Sequence, residues 1–157
     1  MGTHKELLKL IDSVRARIKE HPVVIDMFKK HNVNIDELDL IPMCFGNIDV
    51  SARTEKGIIT FNYALIEDGD FEKDDHYLVH EVVHFLQQTN KPTKSSDDGD
   101  YLDNKAEIEG FQNQTHFLAD ERGDEKAEDY VEQVLDHHEV NEEKERNKRK
   151  KQLLELS

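Results

Sequence analysis

Tryptophan is absent from this chain of 157 residues, and cysteine occurs once. The lone Cys44 excludes an internal disulfide framework and suits a reducing compartment. No apolar run approaches the ~20 residues that a membrane-spanning helix needs. No charged segment followed by an apolar one opens the chain, so no signal peptide is read and a cytoplasmic location is expected. Basic residues are in the minority, 21 against 35 acidic ones, for a formal net charge of −14. That balance argues against nucleic acid or an anionic membrane as the general partner. With 36% charged residues, 36% hydrophobic residues and no tryptophan, the core must be compact and the surface strongly charged. Internal repeats are also missing. The length suits one domain with a tail, read as 1–141 and a charged helical tail at 142–157.

What the chain does contain is centred on His80-Glu81-Val82-Val83-His84. Histidines four apart on a helix lie about 40° apart around its axis, so both imidazoles point to one side. Two neutral ring nitrogens at that spacing can reach one metal ion, with Glu81 beside them to take a proton from water. Leu78, Val79, Val82, Val83, Phe85 and Leu86 surround them with apolar side chains, which marks the helix as buried. Burying two imidazoles and a carboxylate there costs several kcal/mol unless something satisfies them. A divalent cation would. The bland reading is a pair of hydrogen-bonded core histidines.

The flanking segments read as scaffold. Thr3 or His4 to Lys19 is an amphipathic helix with Leu7, Val14 and Ile18 on its stripe. Pro22 opens a second, short helix that ends by Asn32. From Leu38 the chain turns extended: Ile41–Phe45, then Asp49–Arg53 and Ile58–Tyr63 as a hairpin around Glu55-Lys56-Gly57. Residues 66–75 read as an acidic loop, with Asp74 or Asp75 capping the motif helix, which Asn90-Lys91-Pro92 stops. His76 lies one turn before His80, and a first-turn histidine is read as solvent-exposed. Gln87 and Gln88 either line the far end of a cleft or lie at the surface. Residues 91–100 form a low-complexity loop. A helix then starts at Asp103 or Asn104 with Ile108, Phe111, Thr115 and Leu118 on its buried side. Another follows Gly123 with Ala127, Val131, Val134 and Leu135 at helical spacing. The basic run from Lys144 to Lys151 reads as a solvated helix or as a docking surface for an acidic partner or nucleic acid.

A third ligand is sought in the helix after the loop. Glu107 shares a face with Gly110 and Gln114, and the glycine permits close approach of another helix. Glu109 points away by about 160° of helical turn. Phase therefore favours Glu107, with Glu109 and Cys44 as the alternatives.

His80-Glu81-x-x-His84 followed by a glutamate on a later helix resembles the zincin metallopeptidases whose third ligand is Glu. The contexts HEVVHFLQQ and YLDNKAEIEGFQ are similar to small metallopeptidases of bacteria and phages, over roughly residues 58–114. In related branches a small residue stands three positions after the ligand Glu, as Gly110 does after Glu107. Many carry Asp four positions after it, where this chain has Phe111. The resemblance implies an α+β, zincin-like fold in which a small, mostly antiparallel sheet packs on the motif helix between amino- and carboxy-terminal helices. It implies Zn²⁺ on His80, His84 and Glu107, with Glu81 as general base in hydrolysis of a peptide or protein substrate, in a host cytoplasm or virion if the chain is of phage origin. The alternatives from other classes are a non-catalytic metal-binding component of an assembly and an acidic mimic of nucleic acid.

Overall fold

The computed structural model describes residues 4–67, 75–90 and 105–154. The chain forms two compact units, Met1–Thr93 and Lys94–Ser157. The fold is α+β, mostly helical with one three-stranded sheet.

In the first unit, α1 (His4–Lys19) and α2 (Pro22–Lys30) are joined by a tight corner at His21. His21 Nδ1 accepts the Val23 N–H at 3.2 Å, and Pro22 takes the first helical position, where its missing N–H has no intrahelical partner to lose. Asn32, in the left-handed region at φ 57°, ends that segment. A short 3-10 helix, Ile35–Leu40, follows under an Asn34 cap. Sequence periodicity does not announce it, because six residues are too few to show a period.

The strands are β1 (Met43–Gly46), β2 (Ala52–Glu55) and β3 (Ile58–Asn62). The β2–β3 hairpin forms, with its first strand at Ala52–Glu55 rather than at Asp49–Arg53, closed by Lys56 and Gly57 at φ 54° and 77°. A two-residue turn of this hand matches the twist of the paired strands. The expectation of a mostly antiparallel sheet is corrected: β1 pairs parallel with β3, giving a mixed sheet in the order β1-β3-β2. Strand composition explains the order. Ile58–Asn62 is the β-branched, aromatic run, with Ile59 and Phe61 fully buried, and the centre pairs both its edges. Arg53 and Glu55 leave β2 suited to an edge. Asn62 holds the β1–β2 connection in place, its Nδ2 donating to Ile48 O at 2.8 Å and Val50 O at 3.1 Å.

Register sorts the side chains by face. Met43, Ile59 and Thr54 align in one row and Phe45, Phe61 and Ala52 in another, all on the core side. Cys44, Thr60 and Arg53 occupy the opposite face. Helix α4 (Asp75–Asn90) lies against β2 and β3. It also packs on α1 and α2. Val79, Val82, Val83 and Leu86 are fully buried. Arg17 of α1 pairs with the buried Asp75 at 3.0 Å, in the first turn of α4 where a carboxylate favours the helix dipole. A short helix, α3 (Ala64–Glu67), follows β3 and takes in the first two residues read as an acidic loop; residues 68–74 of that reading, with the Asp74 cap, lie outside the described residues. The low-complexity loop and the start read at Asp103 or Asn104 lie outside the described residues.

The second unit contains α5 (Lys105–Arg122), α6 (Asp124–His137) and α7 (Glu143–Leu154). Phe111, Val131, Val134, Leu135 and Leu153 form its core. Within the segment read as a charged helical tail, Glu143–Leu154 forms α7, which packs on α5 and α6. Thr115 Oγ1 donates to Leu153 O at 2.6 Å and Gln112 Nε2 to Gln152 O at 3.0 Å, satisfying carbonyls at the end of α7. Arg146 pairs with Glu132, and with Asp136 at 2.9 Å, while Lys150 reaches Glu132 at 3.2 Å. Arg149 pairs with Glu145 at 3.0 Å, so three of the six basic residues from Lys144 to Lys151 are committed inside the unit. Lys144, Lys148 and Lys151 are exposed.

The Arg146 hydrogen bond, and after it that of Lys150, holds the Glu132 carboxyl below its ordinary value. A carboxylate depressed on folding contributes stability above its unfolded value and loses it as pH falls through the folded one. Glu132→Gln is expected to lower the melting temperature at pH 7 by about 1–3 °C, since partly exposed pairs are weak. The difference from wild type should vanish near pH 3. Thermal melts at the two pH values check this; an equal deficit at both would contradict it.

Candidate metal centre

The motif falls in the middle of α4, and its Glu81 meets β2 at Thr54. His80, Glu81 and His84 are 5%, 7% and 9% exposed. The Nε2 atoms of His80 and His84 lie 3.1 Å apart, with ring centroids 4.8 Å apart at 71°. Two imidazoles therefore aim their far nitrogens at a shared point, as the i, i+4 spacing requires if both are to reach one ion. On its other side His84 Nδ1 lies 2.9 Å from Gln87 Oε1.

Glu81 is held by the edge strand. Thr54 Oγ1 lies 2.9 Å from both the backbone oxygen and Oε1 of Glu81. Its single proton can bridge them, so the hydroxyl fixes the carboxylate to its own helix turn. Gln88 Nε2 donates to Thr54 O at 3.3 Å, tying β2 to α4 a second time. Thr54 was not singled out by the sequence. The signal for it was the register of the hairpin, in which Thr54 alternates inward between exposed Arg53 and Glu55.

Other sequence candidates fall differently. His76 is buried at 8% rather than solvent-exposed, its ring 4.3 Å from that of Tyr77. Cys44 is exposed on the sheet face away from α4, its Sγ 3.7 Å from Thr60 Oγ1. That face separates it from the histidine pair. In the second unit, Glu107 lies in the first turn of α5 and is 2% exposed, with Gly110 also buried. Glu109 is half-buried and its carbonyl accepts from Asn113 Nδ2 at 2.9 Å. Phe111 belongs to the apolar core with Val131 and Leu135. His138 caps the end of α6.

The donor set fits a divalent cation of borderline softness. Imidazole and carboxylate together suit zinc and its neighbours in the transition series. No family model, curated protein or solved structure matches the chain.

The role given to Thr54 has a stability consequence. Thr54→Val keeps the shape but leaves Glu81 Oε1 without this donor in a nearly closed site, at a cost of about 1–3 kcal/mol. The melting temperature should fall by several degrees, and Thr54→Ser should recover most of it. A valine variant as stable as wild type would show that the hydroxyl does not hold Glu81.

Proposed function

We propose that the chain is a zinc-dependent metallopeptidase. The observation that carries this reading is the convergence of His80 Nε2 and His84 Nε2, 3.1 Å apart on a buried helix face, with the Glu81 carboxylate fixed beside them. The ion is assigned to His80 and His84 of α4, with Glu107 as the third ligand that the resemblance of the motif implies. When bound, zinc supplies Lewis-acid polarisation of a water and of a carbonyl oxygen.

The residues of the chain do the rest. Glu81 accepts the proton of the attacking water and returns it to the leaving amine, as a general base and then acid. Thr54 anchors Oε1, which leaves the second carboxylate oxygen for that transfer. The apolar residues of α4 keep bulk water from the histidines and strengthen their interaction with a cation. The resemblance of the motif and its context to small zincins supports the same assignment, as does the helical phase that sets Glu107 beside Gly110.

Glu81→Gln separates binding from turnover. The amide nearly preserves shape but is no base, so hydrolysis of unfolded casein by the zinc-loaded protein should drop by about 10²–10⁴-fold while zinc stays bound. Equal cleavage by both proteins would refute the catalytic role. Stoichiometric zinc in both, with cleavage by neither, would favour the non-catalytic metal-binding reading. Zinc affinity should fall sharply in Glu107→Ala and stay near wild type in Glu109→Ala.

A further inference from the structure

We infer that Gln87 is a positioning residue: its side-chain oxygen fixes the tautomer of His84 and thereby makes Nε2 the metal-facing lone pair. The inference rests on the metal-site reading above and adds to it the group that sets the ligand.

A neutral imidazole carries one N–H and one lone pair, and the partner of one nitrogen decides which is which. Gln87 Oε1 lies 2.9 Å from His84 Nδ1. A carboxamide oxygen can only accept, so Nδ1 carries the proton and Nε2 is bare. That bare nitrogen is the one 3.1 Å from His80 Nε2. Without an ion, His80 donates an N–H to it; with one, the same lone pair turns to the metal.

The arrangement is built into α4. Gln87 follows His84 by three residues, so the two side chains stand on one face of the helix. Acceptor and ligand ride on one rigid element and keep their geometry whatever neighbouring segments do. Gln87 is partly buried, which limits competition from water for His84 Nδ1. An amide differs from a carboxylate in this place. It orients the ring without adding negative charge, so it raises ligand basicity less.

The test measures zinc affinity by chelator competition in the full chain for wild type, Gln87→Leu and Gln87→Glu. It also measures the His84 tautomer by long-range ¹H–¹⁵N correlation in the metal-free protein. Wild type should show His84 protonated at Nδ1. Gln87→Leu should lose that preference and bind zinc about 10–100-fold more weakly, the range typical of lost outer partners. Gln87→Glu should keep the Nδ1–H tautomer and bind at least as tightly as wild type, which a merely space-filling role would not predict. Wild-type His84 protonated at Nε2, or a leucine variant with unchanged zinc affinity, would overturn the inference. A wild-type chain that binds no zinc would refute the metal reading and the ligand role with it, while the tautomer measurement would still decide whether Gln87 fixes the ring.

Discussion

Two imidazoles and a carboxylate sit on one helix among fully buried valines and leucines, and the cost of that burial governs the site. Polar groups are stable in such a place only when each finds a partner. Thr54 serves Glu81, Gln87 serves His84, and the two histidines face each other. The contact between their Nε2 atoms is the one arrangement in the set that a cation improves. An N–H···N bond uses one lone pair, whereas an ion uses both.

The first unit is arranged so that this helix is held from several sides. The mixed sheet lends an edge strand whose inward threonine reaches Glu81, and Gln88 fastens the same strand further along α4. Arg17 and Asp75 fix the start of the helix to α1. In the second unit, α5 carries Glu107 in its first turn and is braced by α7 through Thr115, Gln112 and the cluster around Phe111.

Much of this was legible in the sequence, and the parts that were not have physical reasons. Periodicity located α1, α2, α4, α5 and α6 because an amphipathic or buried helix must repeat its apolar residues. The β2–β3 hairpin was legible because Lys56-Gly57 can adopt the left-handed turn and the flanking strands are β-branched. The parallel pairing of β1 was not, since strand order depends on long-range competition for the central position and leaves no local mark. Phase predicted that His80 and His84 share a face, but Gln87 and Thr54 required coordinates: glutamine three residues on reads equally well as surface, and a threonine's partner lies 27 residues away in the chain. The helical tail was legible, but the pairing of Arg146 and Lys150 with acids on α6 was not, since those partners lie 10 or more residues away on another helix.

Crystals of the protein grown with zinc, measured at wavelengths flanking the zinc absorption edge, test the central claim most directly. The account predicts one anomalous peak per chain, about 2.0–2.2 Å from His80 Nε2, His84 Nε2 and a carboxylate oxygen of Glu107. Zinc-grown crystals with no anomalous density at the histidine pair would contradict it.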